Sequence, residues 1–169
     1  MAPLRVKLRL SETFEELKNL IKLTDSRSIY YGKVTMKWLV KEEPETYGYG
    51  QLERDAKTVW AGVKNPLAQI HLRSIRKGDR ILYYHTGKEK AVVGIAKATR
   101  DAFPDPADPS GKFFVAELVP EKRLSKPVTL ATIKGDKVFA NFPLVKISRL
   151  SVMPVSEAEW ARIEKLSRG

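Results

Sequence analysis

The sequence predicts an α+β protein in which short strands form a mixed β-barrel flanked by helices. Many short segments are rich in β-branched and aromatic residues, whereas segments with helical periodicity are few. Strands do not alternate regularly with helices, as they do in a doubly wound parallel sheet. The chain also lacks the glycine patterns of P-loops and dinucleotide-binding turns, which argues against nucleotide-dependent chemistry.

Composition limits the classes of function. The chain has 169 residues and 43% hydrophobic residues, enough for one cored domain with or without an appendage. It has no cysteine and two histidines, so disulfides and thiolate catalysis are excluded and a metal site or cofactor is not expected. No apolar run approaches the roughly 20 residues that span a bilayer, and no signal segment is evident, so we expect a cytoplasmic protein.

The charge balance points to a polyanionic partner. Lysine and arginine number 31 against 20 acidic residues, a net charge of +11. Such a surplus most often accompanies nucleic-acid binding, and the alternative is a basic surface without a partner.

The first 35 residues differ from the rest. Apolar and basic residues alternate over 4–10, as in a half-buried strand, and Ser11 then begins a short helix. Met36 lies directly before a strongly apolar strand. The sequence therefore predicts a main domain at 36–169, preceded at 1–35 by an N-terminal extension of unclear origin. This extension is either a small β–α unit packed on the domain or sequence upstream of a natural start at Met36.

The main domain is predicted strand by strand from β-formers and turn residues. Pro66 suits an early helical position, and Ser156 with Glu159 has the spacing of a capping box. Predicted strands occupy 37–40, 80–85, 91–96, 113–119 and 152–155, with 144–150 helping to close the sheet. Helices are predicted from Leu52, from Pro66, around 131–134 and at 157–166.

A loop from Trp60 to Asn65 combines groups that recognise a nucleobase. Trp60 offers a flat π-face for stacking, and Asn65 carries a donor and an acceptor for a base edge. Gly62 lets the backbone approach closely because it has no Cβ. The alternative is a core tryptophan followed by a turn and a helix cap.

Several separated motifs together resemble the EVE domain family, from Met36 to the C-terminus and in unbroken order. They are Trp38-Leu39-Val40-Lys41, Glu43-Pro44, Tyr47, Trp60, Gly62-Val63-Lys64-Asn65, Gly78-Asp79, Tyr84-His85, Phe103-Pro104-Asp105-Pro106 and the segment from Arg149 to Val155. The resemblance implies a PUA-like β-barrel, similar to the YTH domain, that reads a modified base of DNA or RNA.

The resemblance also implies site residues. Trp60 would be a wall of the base pocket, and Asn65 would read the base edge. The full set implied or inferred for the pocket is Trp60, Asn65, Val63, Lys41, Glu42, Tyr47, Tyr84 and His85. Residues expected at the nucleic-acid backbone are Lys64, Arg73, Arg76, Lys77 and Arg149. Two positions depart from the family pattern: Glu42 stands where serine is common, and Lys64 stands where arginine is common. Glu42 adds a carboxylate acceptor, and Lys64 lacks the planar fork that makes bidentate contacts.

Other interpretations remain open for single residues. His85 is a satisfied strand histidine or a hydrogen-bonding pocket residue more readily than a general base. Tyr49, flanked by glycines, is a candidate gate. Lys41 with Glu42 or Glu43 is either a solvated strand end or a proton-transfer cluster.

These alternatives define competing functions. The sequence favours a non-catalytic module that holds a methylated or hydroxymethylated base. The runner-up is a small hydrolase of modified nucleosides, similar to ASCH-type amidohydrolases, and a third possibility is a pocket for a free small ligand.

Overall fold

The computed structural model describes residues 35–169. Its strands form one curled, mixed sheet, and short helices connect and flank them. Apart from Thr35, the predicted extension at 1–35 lies outside the described residues. The strands are β1 (Lys37–Glu42), β2 (Thr58–Trp60), β3 (Arg80–His85), β4 (Ala91–Ala98), β5 (Phe103–Pro104), β6 (Phe114–Thr129) and β7 (Val152–Pro154). The helices are α1 (Pro44–Tyr47), α2 (Tyr49–Asp55), α3 (Pro66–Arg73), α4 (Leu130–Lys134), a 3₁₀ helix (Lys137–Phe139), α5 (Pro143–Lys146) and α6 (Glu157–Leu166).

The sheet has the order β2-β6-β4-β3-β1-β7, and β5 pairs with β6 outside this path. β1 and β3 run parallel, whereas the other pairings are antiparallel. The expected mixed α+β architecture is thereby confirmed. In the parallel pair, Lys41 lies opposite Tyr84 and Glu42 opposite His85, so the ends of β1 and β3 lie side by side.

The pairing of β4 with β6 is irregular where a tyrosine packs against a glycine. The β4–β6 register shifts on both sides of Gly94, and a Cβ built at Gly94 would lie 2.5 Å from ring carbons of Tyr49. Tyr49 is fully buried, and its hydroxyl donates to the carbonyl of Ile95 at 2.6 Å. The interpretation of Tyr49 as a movable gate is therefore wrong, because its ring anchors α2 to the sheet.

Asp79 connects the start of β1 to the turn before β3. Its side chain is 2% exposed and accepts from the backbone N–H of Met36 and the indole N–H of Trp38, each at 2.9 Å. It also accepts from the backbone N–H of Arg76 at 2.9 Å. This buried carboxylate thus has partners on both oxygens, which offsets the cost of removing it from water.

Most predicted elements are confirmed, and three differ. The capping box of α6 is present, with Ser156 and Glu159 each accepting from the other's backbone N–H. The strand predicted at 113–119 continues to Thr129, and Trp60 ends β2 instead of lying in a loop. The predicted closing strand at 144–150 is wrong, because α5 begins there at Pro143, whose fixed φ suits a first helical turn. Across the described residues, each helix is too short or too polar to cross a bilayer.

Candidate functional site

Trp60 lies mostly within the core. It pairs with Ala116 of β6 and is 6% exposed. Its ring meets Tyr83 edge to face, with centroids 5.3 Å apart and planes at 88°. Tyr83 makes similar contacts with Tyr49 and His85, so an aromatic cluster covers one face of the sheet. Most of the indole surface therefore serves core packing, and its role as a stacking wall stays a prediction.

The opposite face carries Lys41 and Tyr84. Tyr83 and His85 share a face, so Tyr84 between them points to the other side, where its register neighbour Lys41 also lies. The ammonium of Lys41 donates to the carbonyl of Ser148 at 2.5 Å, and burial lowers the pKa of this lysine. Arg149 follows Ser148 and is exposed. The predicted pocket residues are thus divided between the two faces of the sheet.

A cleft of about 230 Å³ lies where the segment after Trp60 meets the connection from β5 to β6. We call it the Val63 cleft. Its lining contains two residues expected at the site, Val63 and Lys64, together with the half-buried rings of Phe113 and Phe114. The complete lining is Gly62, Val63, Lys64, Gln69, Asp105, Ala107, Asp108, Phe113 and Phe114. Two of the motifs noted in the sequence, 62–65 and 103–106, therefore meet at this cleft.

A buried glutamine fixes the two sides of the Val63 cleft. The amide nitrogen of Gln69, on α3, donates to the carbonyls of Val63 at 2.7 Å and Phe114 at 3.2 Å. Its amide oxygen accepts from the backbone N–H of Phe114 at 2.9 Å. Gln69 is 6% exposed, so these hydrogen bonds are shielded from water. One side chain thus holds the loop, the helix and the start of β6 together.

The outer wall of the Val63 cleft is held by Asp108. Its carboxylate accepts from the hydroxyl of Ser110 at 2.6 Å and from the backbone N–H groups of Ser110 and Phe113, each at 2.9 Å. Led by the Ser110 hydroxyl and the Phe113 N–H, these bonds lower the pKa of Asp108 to about 2. The carboxylate is therefore ionised at neutral pH and keeps Phe113 in place.

Cations border the Val63 cleft. The guanidinium of Arg73 lies 4.7 Å from the centroid of the Phe114 ring, and it also donates to the carbonyl of Lys112. Arg73, Arg76 and Lys77 are exposed at the end of α3. Residues 56–78 contain the five cations Lys57, Lys64, Arg73, Arg76 and Lys77 and no carboxylate. Of the residues expected at the nucleic-acid backbone, Lys64 lines the cleft and Arg73 lies at its edge.

A second cleft, of about 350 Å³, lies beside α1 and α2, and we call it the Tyr47 cleft. The expected site residues Tyr47 and His85 line it. The hydroxyl of Tyr47 donates to Asp55 at 2.8 Å. The complete lining is Pro44, Glu45, Thr46, Tyr47, Gly48, Gly50, Gln51, Arg54 and His85.

His85 is a satisfied strand histidine. Its Nε2 accepts from the backbone N–H of Tyr49 at 2.9 Å, and its Nδ1 lies 2.5 Å from a carboxylate oxygen of Glu89. An acceptor at Nε2 requires the proton on Nδ1, an assignment that follows from the hydrogen bonds. Both ring nitrogens are occupied, so His85 has no free lone pair for general-base catalysis.

Asn65 caps α3. Its side-chain oxygen accepts from the backbone N–H of Ala68 at 3.0 Å, while the residue remains exposed. Asn65 therefore acts as the N-cap of α3. Its side-chain oxygen makes the capping bond, and its side-chain NH₂ takes no part in that bond.

The acidic residues after Lys41 make separate contacts. Glu42 accepts from the backbone N–H of Glu43 at 2.8 Å, and Glu43 accepts from the hydroxyl of Thr86 at 2.7 Å. Neither contact involves the ammonium of Lys41, which lies on the other face. No cluster of histidine or acidic side chains able to hold a metal occurs in the part of the chain that the structure describes.

Sequence reasoning missed Gln69, Phe113 and Phe114. A single glutamine on a surface helix resembles a solvated residue, and only the tertiary structure shows its burial. The adjacent phenylalanines could have been recognised from the sequence, because they directly follow a loop rich in proline and aspartate.

The chain is similar to proteins of known sequence and structure. The EVE domain family matches residues 36–166. Human thymocyte nuclear protein 1 is 26% identical over 157 residues, covering 73% of this chain and 70% of that protein. A solved protein of Rhodopseudomonas palustris is 41% identical with a TM-score of 0.76, covering 79% of this chain and 94% of that one.

Two further solved structures share the fold. Human thymocyte nuclear protein 1 in complex with DNA containing 5-methylcytosine has a TM-score of 0.72 at 23% identity, covering 80% of this chain and 99% of that one. An ASCH protein of Zymomonas mobilis has a TM-score of 0.51 at 14% identity, covering 78% and 95% of the two chains. At these identities the likeness concerns the fold alone.

Proposed function

The chain belongs to the EVE domain family, and from this premise we propose that it binds nucleic acid and holds one modified base in an aromatic pocket. The base is methylated or hydroxymethylated and belongs to DNA or RNA. DNA is the first candidate, because the human relative was crystallised with DNA containing 5-methylcytosine.

The observation that carries the proposal is the construction of the Val63 cleft. Accessible aromatic rings, an apolar side chain and a few fixed polar groups meet in a small concave site, which is the usual make-up of a ligand pocket. In this conformation the aromatic walls of the cleft are Phe113 and Phe114, which are half-buried, and Trp60 does not line it. A wall formed by Trp60 would require the loop 61–65 to move outwards.

Binding begins with the phosphates. Lys64 and Arg73 border the cleft and would neutralise the backbone, with Arg76 and Lys77 extending the contact along the end of α3. Such contacts hold the strand in register without reading its sequence.

The base is then extruded into the Val63 cleft. Extrusion costs a few kcal/mol, and stacking on an aromatic side chain returns about 1–3 kcal/mol. A methyl group gains apolar contact with Val63 and Phe113. Asp105 accepts from the backbone N–H of Ala107 through one oxygen, which leaves the other oxygen as an acceptor for the exocyclic amino group of cytosine.

The hydrolase alternative has less support from the geometry. Such chemistry needs Lys41 together with Glu42 or Glu43, and these side chains contact different partners. Incubation with acylated cytidines separates the two functions, because turnover that disappears in Lys41→Ala would favour the enzyme.

The reader proposal is tested by binding to short oligonucleotides with unmodified, methylated or hydroxymethylated cytosine. We expect a preference of about 10- to 200-fold for a modified base, the range of one methyl group in an apolar pocket. Phe113→Ala is expected to weaken binding by about tenfold or more, because it removes a stacking surface.

Tyr47→Ala is the matched control, because it truncates an aromatic residue in the other cleft. Unchanged affinity in Phe113→Ala, with loss in Tyr47→Ala, would move the proposed pocket to the Tyr47 cleft. Equal affinity for modified and unmodified strands would refute a modified-base reader altogether.

A further inference from the structure

We infer that the exposed face of α3 is a wedge that enters double-stranded DNA beside the extruded base. This inference rests on the proposed function and deepens it, since it makes duplex DNA, and not a single strand, the partner of the pocket.

The wedge consists of Leu67 and Ile70. Leu67 is 40% exposed and Ile70 is 60% exposed, although α3 buries Ala68 and Leu72 against the domain. Residues three apart are neighbours on a helix surface, so the two side chains form one apolar ridge. The exposed part of this ridge gains nothing from burial in the domain.

The ridge lies on the same helix as a residue of the Val63 cleft. Gln69, between the two ridge residues in sequence, lines that cleft. Arg73 lies one turn after Ile70 and covers the ring of Phe114, which also lines it. An apolar side chain at Ile70 is therefore close to the position from which a base would enter.

The charges around the ridge favour DNA as its binding partner. Residues 56–78, the segment that carries the ridge, contain five cations and no carboxylate, and the carboxylates of Asp105 and Asp108 lie in the adjoining cleft. A second copy of this chain, with a net charge of +11, would be repelled by such a surface. DNA provides phosphates for the cations and a stack of bases for the apolar side chains.

A wedge has a definite task during extrusion. Removing a base from a duplex leaves a gap between its neighbours, and leucine or isoleucine inserted between base steps occurs in proteins that kink DNA. A single strand has no paired strand, so no gap between base pairs has to be held open. The ridge should therefore contribute to binding of a duplex and contribute little to binding of a single strand.

The test compares Leu67→Ser and Ile70→Ser with the wild-type chain. Each protein is titrated with a duplex containing one 5-methylcytosine and with the same methylated strand alone. We expect duplex affinity to fall by about tenfold, while single-strand affinity changes by less than about twofold. The control is Val138→Ser, which removes an apolar side chain that is 43% exposed on the 3₁₀ helix and should change neither affinity.

A second measurement follows the opening of the stack. The fluorescence of 2-aminopurine next to the methylated base should rise when the wild type binds the duplex and rise less with Ile70→Ser. Equal losses on duplex and single strand, or no loss on either, would overturn the wedge. Wild-type protein that binds only the single strand would also overturn it, whereas the absence of any preference for the methylated base would refute the reader itself.

Discussion

Replacing Gln69 by leucine should loosen the Val63 cleft and lower the stability of the domain. The change keeps the approximate size of the side chain but removes one amide that serves three backbone groups. The carbonyls of Val63 and Phe114 and the N–H of Phe114 would lose this partner.

The magnitude follows from these three hydrogen bonds. Each contributes about 1 kcal/mol net, and a backbone group left buried without a partner costs about 1–3 kcal/mol. Water can reach part of this site through the cleft, and leucine gains some apolar burial, so both effects reduce the loss. We therefore expect a free energy of unfolding lower by about 2 kcal/mol and a melting temperature lower by about 6–10 °C.

The assay is urea denaturation followed by tryptophan fluorescence, together with binding of the methylated oligonucleotide. Gln51→Leu is the matched control, because the amide of Gln51 donates to Asp55 at the surface of α2. This control should change stability by less than about 0.5 kcal/mol. If Gln69→Leu is as stable as the wild type and binds equally well, the amide does not hold the cleft and the reasoning fails.

Two further predictions concern the core and the cleft wall. Gly94→Ala should destabilise the domain by about 1–3 kcal/mol in chemical denaturation, because its Cβ would lie 2.5 Å from ring carbons of Tyr49 and cores tolerate such overpacking poorly. The amide of Phe113 should titrate in NMR spectra with a midpoint near pH 2, because hydrogen bonds lower the pKa of Asp108 to about 2 from its ordinary value of 3.8. A lowered pKa means that this carboxylate stabilises the loop above about pH 3.8 and that the contribution is lost as the pH falls through about 2.

A control variant and a contradicting result exist for both measurements. Gly135→Ala is the control for Gly94, since a Cβ added at Gly135 would lie 3.6 Å from its nearest neighbours, an ordinary contact distance. Equal stability of the two variants would contradict close packing of Tyr49. A midpoint near 3.8 for the Phe113 amide would show that Asp108 does not make these bonds in solution.

Secondary-structure elements with local signals can be predicted from the sequence, whereas contacts between distant segments cannot. Strands such as β3 and β4 are predictable because their β-formers and apolar runs are local signals, and α6 because its capping box is a pattern of four residues. The segment 144–150 is misassigned from sequence because its apolar residues fit a strand and a short helix equally well, and only Pro143 favours the helix. Trp60 stands out in the sequence, but its burial depends on Tyr83, which comes from a distant strand.

The sequence by itself determined the basic charge, the absence of cysteine chemistry, the mixed α+β class and the motifs that resemble the EVE domain family. These properties depend on composition and on local order along the chain. Only the tertiary structure decided that Lys41 and His85 lie on opposite faces of the sheet, and that Gln69 bonds to Phe114, which follows it by 45 positions of sequence. Such contacts depend on strand register and packing, which bring distant residues together and leave no periodic trace in the sequence.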